Sequence, residues 1–287
     1  MHTSWYHVQY LKTVRAWAHE LQWKFFRNGP PYDPFTAAAK LGVQISQIDL
    51  NGVDGYVEAK GDSYCIFLSS RASKSRQRFT LAHELAHVFL MNVAKRNGFY
   101  DSYLIRYRNN GLPRSDIQDK NEEHLCNAFA QEFLLPTEDI RARVSYKNLA
   151  PLHIIQIASE FQVSLQAVAV KLTRLFRTSH IVCSLWNLKT PWPVAAWWAG
   201  EKTLTKTDIS ILEELAKMCI SERKELTEIW GPQGKRRFEL RVRIAPTNSQ
   251  EHAIAVLSPF RGSRNPAPSA WCARPISEDA KQLSLFP

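Results

Sequence analysis

No stretch of this chain approaches the roughly 20 consecutive apolar residues that a membrane-spanning helix needs. Its longest apolar runs, around Pro193–Ala199 and Ile181–Leu188, fall well short. The amino terminus also lacks the continuous apolar core and small-residue cleavage site of a signal peptide. Trp5, Val8, Leu11, Val14, Ala18, Leu21 and Phe25 recur there at helical spacing, with Lys12, Arg15, Glu20 and Lys24 between them. That pattern predicts an amphipathic helix. Cysteine is scarce. Cys65, Cys126, Cys183, Cys219 and Cys272 are odd in number, far apart and never spaced as C-x-x-C. This excludes a disulfide framework or a cysteine zinc site and fits thiols in a reducing cytoplasm, the expected location, with no membrane partner.

What the chain does have is the composition of a folded protein. Of 287 residues, 45% are hydrophobic and 22% charged, which excludes intrinsic disorder and leaves room for two domains or one large one.

Residues 78–90 read Arg-Phe-Thr-Leu-Ala-His-Glu-Leu-Ala-His-Val-Phe-Leu. On a helix, His83 and His87 are i, i+4 and share a face, so both imidazoles can reach one metal ion. Glu84 between them is placed to take a proton from a water on that ion. A catalytic zinc needs a third protein ligand. An extension of the motif along the same helix is absent, because Leu90 and Val93 stand where Gly and His would be.

The best source of the missing ligand is Asn121–Pro136. Leu125, Phe129, Phe133 and Leu134 make a helical apolar stripe that Pro136 terminates. Glu123 and Asn127 are i, i+4 on it, so Glu123 can bind the metal while Asn127 orients a ligating histidine from outside. The competing reading makes Glu122 and Glu123 ordinary acids favoured by the helix dipole. In the preferred register Glu122→Ala is expected to behave nearly as the parent.

These two segments together resemble the ImmA/IrrE-type zinc metallopeptidases. That family pairs R-F-T-x-A-H-E-x-x-H with a later E-x-x-A-N-x-F-A-x-x-L-L-x-P, matched here by Arg78–His87 and Glu123–Pro136. Ala86 stands where the family usually has Gly, and Cys126 where it usually has Ala. The resemblance implies a zincin-like domain binding Zn2+ through His83, His87 and Glu123, with Glu84 as general base. It further implies a protein substrate, a transcriptional repressor or antitoxin, cleaved in a stress, mobile-element or phage-related response. The alternative is a DNA- or partner-binding transcriptional regulator on a zincin scaffold with little or no proteolysis.

The net charge of +10, from 37 basic and 27 acidic residues, is compatible with DNA but is more simply a solubility feature, so DNA is not favoured as a partner. Arg71–Arg78 contains four basic residues and lies just before the motif helix, where it can face an acidic substrate segment. Lys235–Arg243, with five, alternates with apolar residues and reads as a half-buried strand.

Along the chain the expected fold class is α+β. Residues 1–33 are an amphipathic helix and linker, and 34–147 a zincin-like domain. A helix at Pro34–Leu41 and strands at Val43–Leu50, Gly55–Ala59 and Tyr64–Ser69 precede the motif helix, the last strand being the expected edge for β-addition of a peptide. Between the motif helices, Asn97–Asn121 is a long connection in which Tyr100, Tyr103 and Tyr107 are assigned no role. Residues 148–178 resemble the helix-turn-helix that follows the peptidase domain in the family. Its exposed side chains are expected to be Gln162, Gln166, Lys171 and Arg174, although a plain helical packing is the preferred reading. Residues 179–265 form a C-terminal α+β domain, sensor-like by position only, and 266–287 a tail.

Overall fold

The computed structural model describes residues 3–96, 117–177, 181–187, 195–198, 206–230, 240–247 and 252–259. The tyrosines at 100, 103 and 107, Cys272 and the tail lie outside them. The fold is mixed α+β, and the chain divides into two compact units, Met1–Thr137 with Glu160–Ser164, and Glu138–Ser159 with Leu165–Pro287. Among the described residues no helix is long and apolar enough to cross a membrane.

The first unit is built around one buried helix. Helices α1 (Thr3–Phe25) and α2 (Pro34–Lys40) lead into β1 (Gln44–Ile48), β2 (Gly55–Lys60) and β3 (Ser63–Ser69). Helix α3 (Lys74–Arg96), which carries His83 and His87, packs on β2 and β3 on one side and on α4 (Ile117–Leu134) on the other. Its buried residues run almost without a break from Arg78 to Val88, so this part of the helix is enclosed nearly all round, with Arg78, Thr80, Glu84 and His87 as its buried polar groups. Helix α1 covers α4 with the stripe Val14, Ala18, Leu21. An aromatic chain joins the three helices: Trp17 stacks on Phe89, Phe89 meets Phe129, and Phe129 stacks on Phe133. Gln22 Nε2 then donates to the carbonyls of Glu132 and Phe133 at 2.8 Å, satisfying orphan acceptors at the end of α4.

The sheet corrects one expectation. Its order is β1-β3-β2, with β3 parallel to β1 and antiparallel to β2. β3 is therefore the central strand, fully paired, and cannot accept an added peptide. Among the described residues the outer strands of this sheet are β1 and β2. Of these, β2 adjoins α3, and the contact is close: a Cβ on Gly55 would lie 2.6 Å from Thr80 Cγ2 and 2.8 Å from the Phe67 carbonyl oxygen. Gly55→Ala is expected to push β2 off α3 and cost about 1–3 kcal/mol, as overpacking does. A urea midpoint equal to the parent's would show that the strand shifts freely.

The three arginines of the Arg71–Arg78 stretch are paired inside this unit. Arg71 pairs with Asp49 and Arg76 with Asp54. Buried Arg78 donates to Asp33 Oδ1 at 2.7 Å and to the Tyr32 carbonyl at 2.9 Å. Asp33 is itself the N-cap of α2, accepting from Thr36 N. The arginine that opens the motif thus locks two helices together.

The second unit holds α5 (Thr137–Arg143), α7 (Leu165–Leu175) and most of α6 (Pro151–Phe161), then β4 (Val182–Asn187), β5 (Ala195–Trp198), α8 (Lys206–Glu222), β6 (Leu226–Trp230), β7 (Leu240–Pro246) and β8 (His252–Pro259). The strands form an antiparallel sheet in the order β5-β4-β8-β7-β6. α8 packs one face with Ile209, Leu212, Leu215 and Cys219 against Val182, Trp186, Val242, Ile244 and Leu257. Alternate residues Cys183, Ile254 and Val256 are buried as well, so both faces are covered. Helix α7 lies against β4 and β5 and is buried from Val168 to Thr173, Lys171 included. Lys171 is therefore not one of the exposed side chains expected of a recognition helix. Helix α5 and strand β6 were not anticipated. Each is short and carries little hydrophobic period of its own.

Candidate metal centre

Helices α3 and α4 bring the candidate residues together. His83 Nδ1 lies 3.1 Å from Asn127 Oδ1, and His87 Nδ1 lies 2.9 Å from Glu122 Oε1. Both oxygens are acceptors, so the hydrogen-bond network assigns each imidazole its proton on Nδ1, donated there. The lone pairs are left on the two Nε2 atoms, which face each other at 3.2 Å. Glu123 closes the group, with Oε2 3.1 Å from His83 Nε2 and Oε1 3.3 Å from His87 Nε2. Two nitrogen lone pairs and a carboxylate aimed at one point repel one another unless something positive sits between them. Two imidazoles and a carboxylate are also the donor set of a three-ligand catalytic zinc. The residues fit such an ion.

The proton affinities carry the same message. Burial opposes charge on His87, yet Cys126, Glu122 and Glu123 together raise its pKa well above the ordinary imidazole value. Burial pushes Glu123 upward, but the adjoining His83 and His87 outweigh it and hold the carboxyl far below the usual range. Glu84 differs. It is buried, and desolvation raises its pKa against the opposing pull of His87 and His83. A carboxylate held above its usual range is a stronger base near neutral pH.

Two residues here were missed in sequence. Glu122 was read as a dipole acid, but its side chain is only 12% exposed and its carboxylate accepts from His87. The signal available was the need of each ligating histidine for an acceptor at its other nitrogen. Cys126 is fully buried beside His87, and burial pushes its thiol up to about 11, partly offset by His87. It is i+3 from Glu123, a spacing that puts both on one helix face. Glu122→Ala and Asn127→Ala are each expected to weaken zinc binding about 10–100-fold, as outer partners of ligands do. Glu123→Ala should weaken it more. Chelator-competition titration measures all three, and parent-like affinity for Glu122→Ala would make its contact incidental.

Residues 38–173 match the Peptidase_M78 family, described as the IrrE N-terminal-like domain. That segment, somewhat under half of the chain, is similar to this domain, in keeping with the motifs on α3 and α4. A solved structure described as a Mycobacterium tuberculosis transcriptional regulator shares the fold, with a TM-score of 0.50 at 12% identity over 86% of this chain and 88% of that one. No curated protein matches.

Proposed function

We propose that the protein is a cytoplasmic zinc-dependent endopeptidase, of the zincin type, that makes a restricted cut in a regulatory protein, a repressor or antitoxin. The observation that carries this reading is the facing of His83 Nε2, His87 Nε2 and the Glu123 carboxylate within 3.1–3.3 Å, beside a buried carboxylate, Glu84, that holds none of the ion's donor positions. Zinc bound there would supply Lewis acidity to the scissile carbonyl and a water of lowered pKa. Asn127 and Glu122 orient the two imidazoles. Glu84 accepts the proton of the attacking water and delivers it to the leaving amine. The outer edge of β2, next to α3, is the place for an extended substrate to pair.

The regulator reading, a DNA- or partner-binding protein with little proteolysis, draws on the description of the fold neighbour, and at 12% identity that likeness is one of fold alone. A structural metal needs no general base, and Glu84 is present. Mixing the zinc-loaded protein with repressors encoded near its gene, and weighing the products by intact mass, tests the choice. One discrete cut supports the peptidase. Binding without any cut, with the repressor displaced from its operator, supports the regulator.

A further inference from the structure

Helix α1 buries one side and leaves the other to solvent. Val14, Ala18 and Leu21 are inside, whereas Lys12, Arg15, Trp23 and Lys24 are exposed, as is Arg27 just past the helix end. Lys40, the last residue of α2, reaches the same end and donates to the Phe25 carbonyl at 3.4 Å. None of these five cations has an ion-pair partner among the described residues, and Glu20 is the one acid between Tyr10 and Arg27. Net charge alone names no surface, but the packing of α1 does.

The arrangement is unfavourable for the helix by itself. Lys12 and Arg15 are i, i+3, as are Lys24 and Arg27, a spacing at which like charges repel. The helix dipole accounts for cations at the C-terminal end only, not for Lys12 and Arg15. Trp23 is 70% exposed, although so large a ring is mostly buried in most proteins. The Arg27 guanidinium lies 5.1 Å from its centroid, and Lys24 and Lys40 stand 5.5 and 5.1 Å from that of Phe25. Unpaired cations gathered around an exposed indole suit a ligand that is anionic and carries flat rings. We infer that the exposed side of α1 binds a single-stranded nucleic acid, one base stacking on Trp23 and the phosphates meeting the cations on either side.

Along an α-helix Lys12 and Trp23 are about 16 Å apart, room for a strand of a few nucleotides. A single strand fits better than a duplex, because its base faces are free to stack, whereas a duplex shows a helix only base edges and phosphates. An acidic peptide would satisfy the cations and leave the indole unused. An anionic membrane is opposed by the burial of Val14, Ala18 and Leu21, the side that an interfacial helix inserts. The inference stands apart from the metal centre, to which none of these residues belongs.

Fluorescence anisotropy of a labelled dodecathymidylate, titrated with the full-length protein at low salt, tests it. The single strand should bind more tightly than a duplex of the same length. Trp23→Ala should weaken binding about 5–150-fold, the worth of stacking one base, and Trp23→Phe should recover part of the loss. Lys12→Gln combined with Arg15→Gln should reduce the slope of log K against log salt by roughly 0.7 for each phosphate contact removed. Lys217→Gln, a cation of α8 paired with Glu213, should leave binding unchanged. Zinc content should stay parental throughout, so failure here leaves the peptidase reading standing. No binding, or binding indifferent to both Trp23→Ala and the Lys12 and Arg15 pair, overturns the inference. So does equal affinity for the duplex, or binding to phosphatidylserine vesicles without binding to the oligonucleotide. Should Trp23→Ala fail to fold, the salt dependence of the Lys12 and Arg15 variant still decides.

Discussion

Glu84→Gln is expected to reduce substrate cleavage by at least the ~10²–10⁴-fold that general-base catalysis contributes, while leaving fold and metal in place. Gln has the shape of Glu and can occupy the same buried slot on α3, and Glu84 is not one of the facing donors. What is lost is the basic carboxylate. The uncleaved partner should therefore stay bound and be recovered in a pull-down. The pH dependence gives an independent check with a defined sign. Glu84 must be deprotonated to act, and burial raises its pKa, so parental cleavage should fall with decreasing pH through a midpoint above the ordinary carboxylate value. That acid limb should be absent from the residual activity of the variant. Full cleavage by Glu84→Gln, or release of the repressor with its chain intact, would replace the enzyme with the regulator.

The second large effect is on metal content. The purified parent should carry about one zinc per chain, and His87→Ala or His83→Ala should carry none, because structural and catalytic sites are assembled from few donors and each is worth much of the affinity. The loss has a stability readout as well. At free zinc 100-fold above Kd, binding to the folded state alone stabilises by about 2.7 kcal/mol. A chelator should therefore lower the unfolding temperature of the parent and leave that of His87→Ala unchanged. Full zinc occupancy in both variants would remove the site.

The motif helices were legible because their chemistry is local. The i, i+4 spacing of His83 and His87, and of Glu123 and Asn127, depends only on the pitch of an α-helix. Helical or alternating apolar periods likewise announced α1, β1, β2 and β3 within a few residues. Strand pairing was another matter. Nothing within Tyr64–Ser69 says whether one neighbour or two will bond to it, since a strand reads the same from either side, and the parallel pairing of β1 with β3 is a contact across intervening chain. The fate of the arginines before α3 was hidden for the same reason. Asp33, which holds Arg78, is far from it in sequence and near it only once α2 packs on α3.

By itself, then, the sequence determined the two helices, the identity of the histidines and glutamates they carry, and the absence of a membrane helix, because helical pitch and apolar run length are properties of short segments. Only the tertiary structure decided that Glu122 serves His87, that Cys126 sits beside His87, that β3 is central and that Lys171 is buried. Each of these depends on the angle and register at which one element meets another. Those are set by the packing of side chains far apart in the chain, and no local period records them.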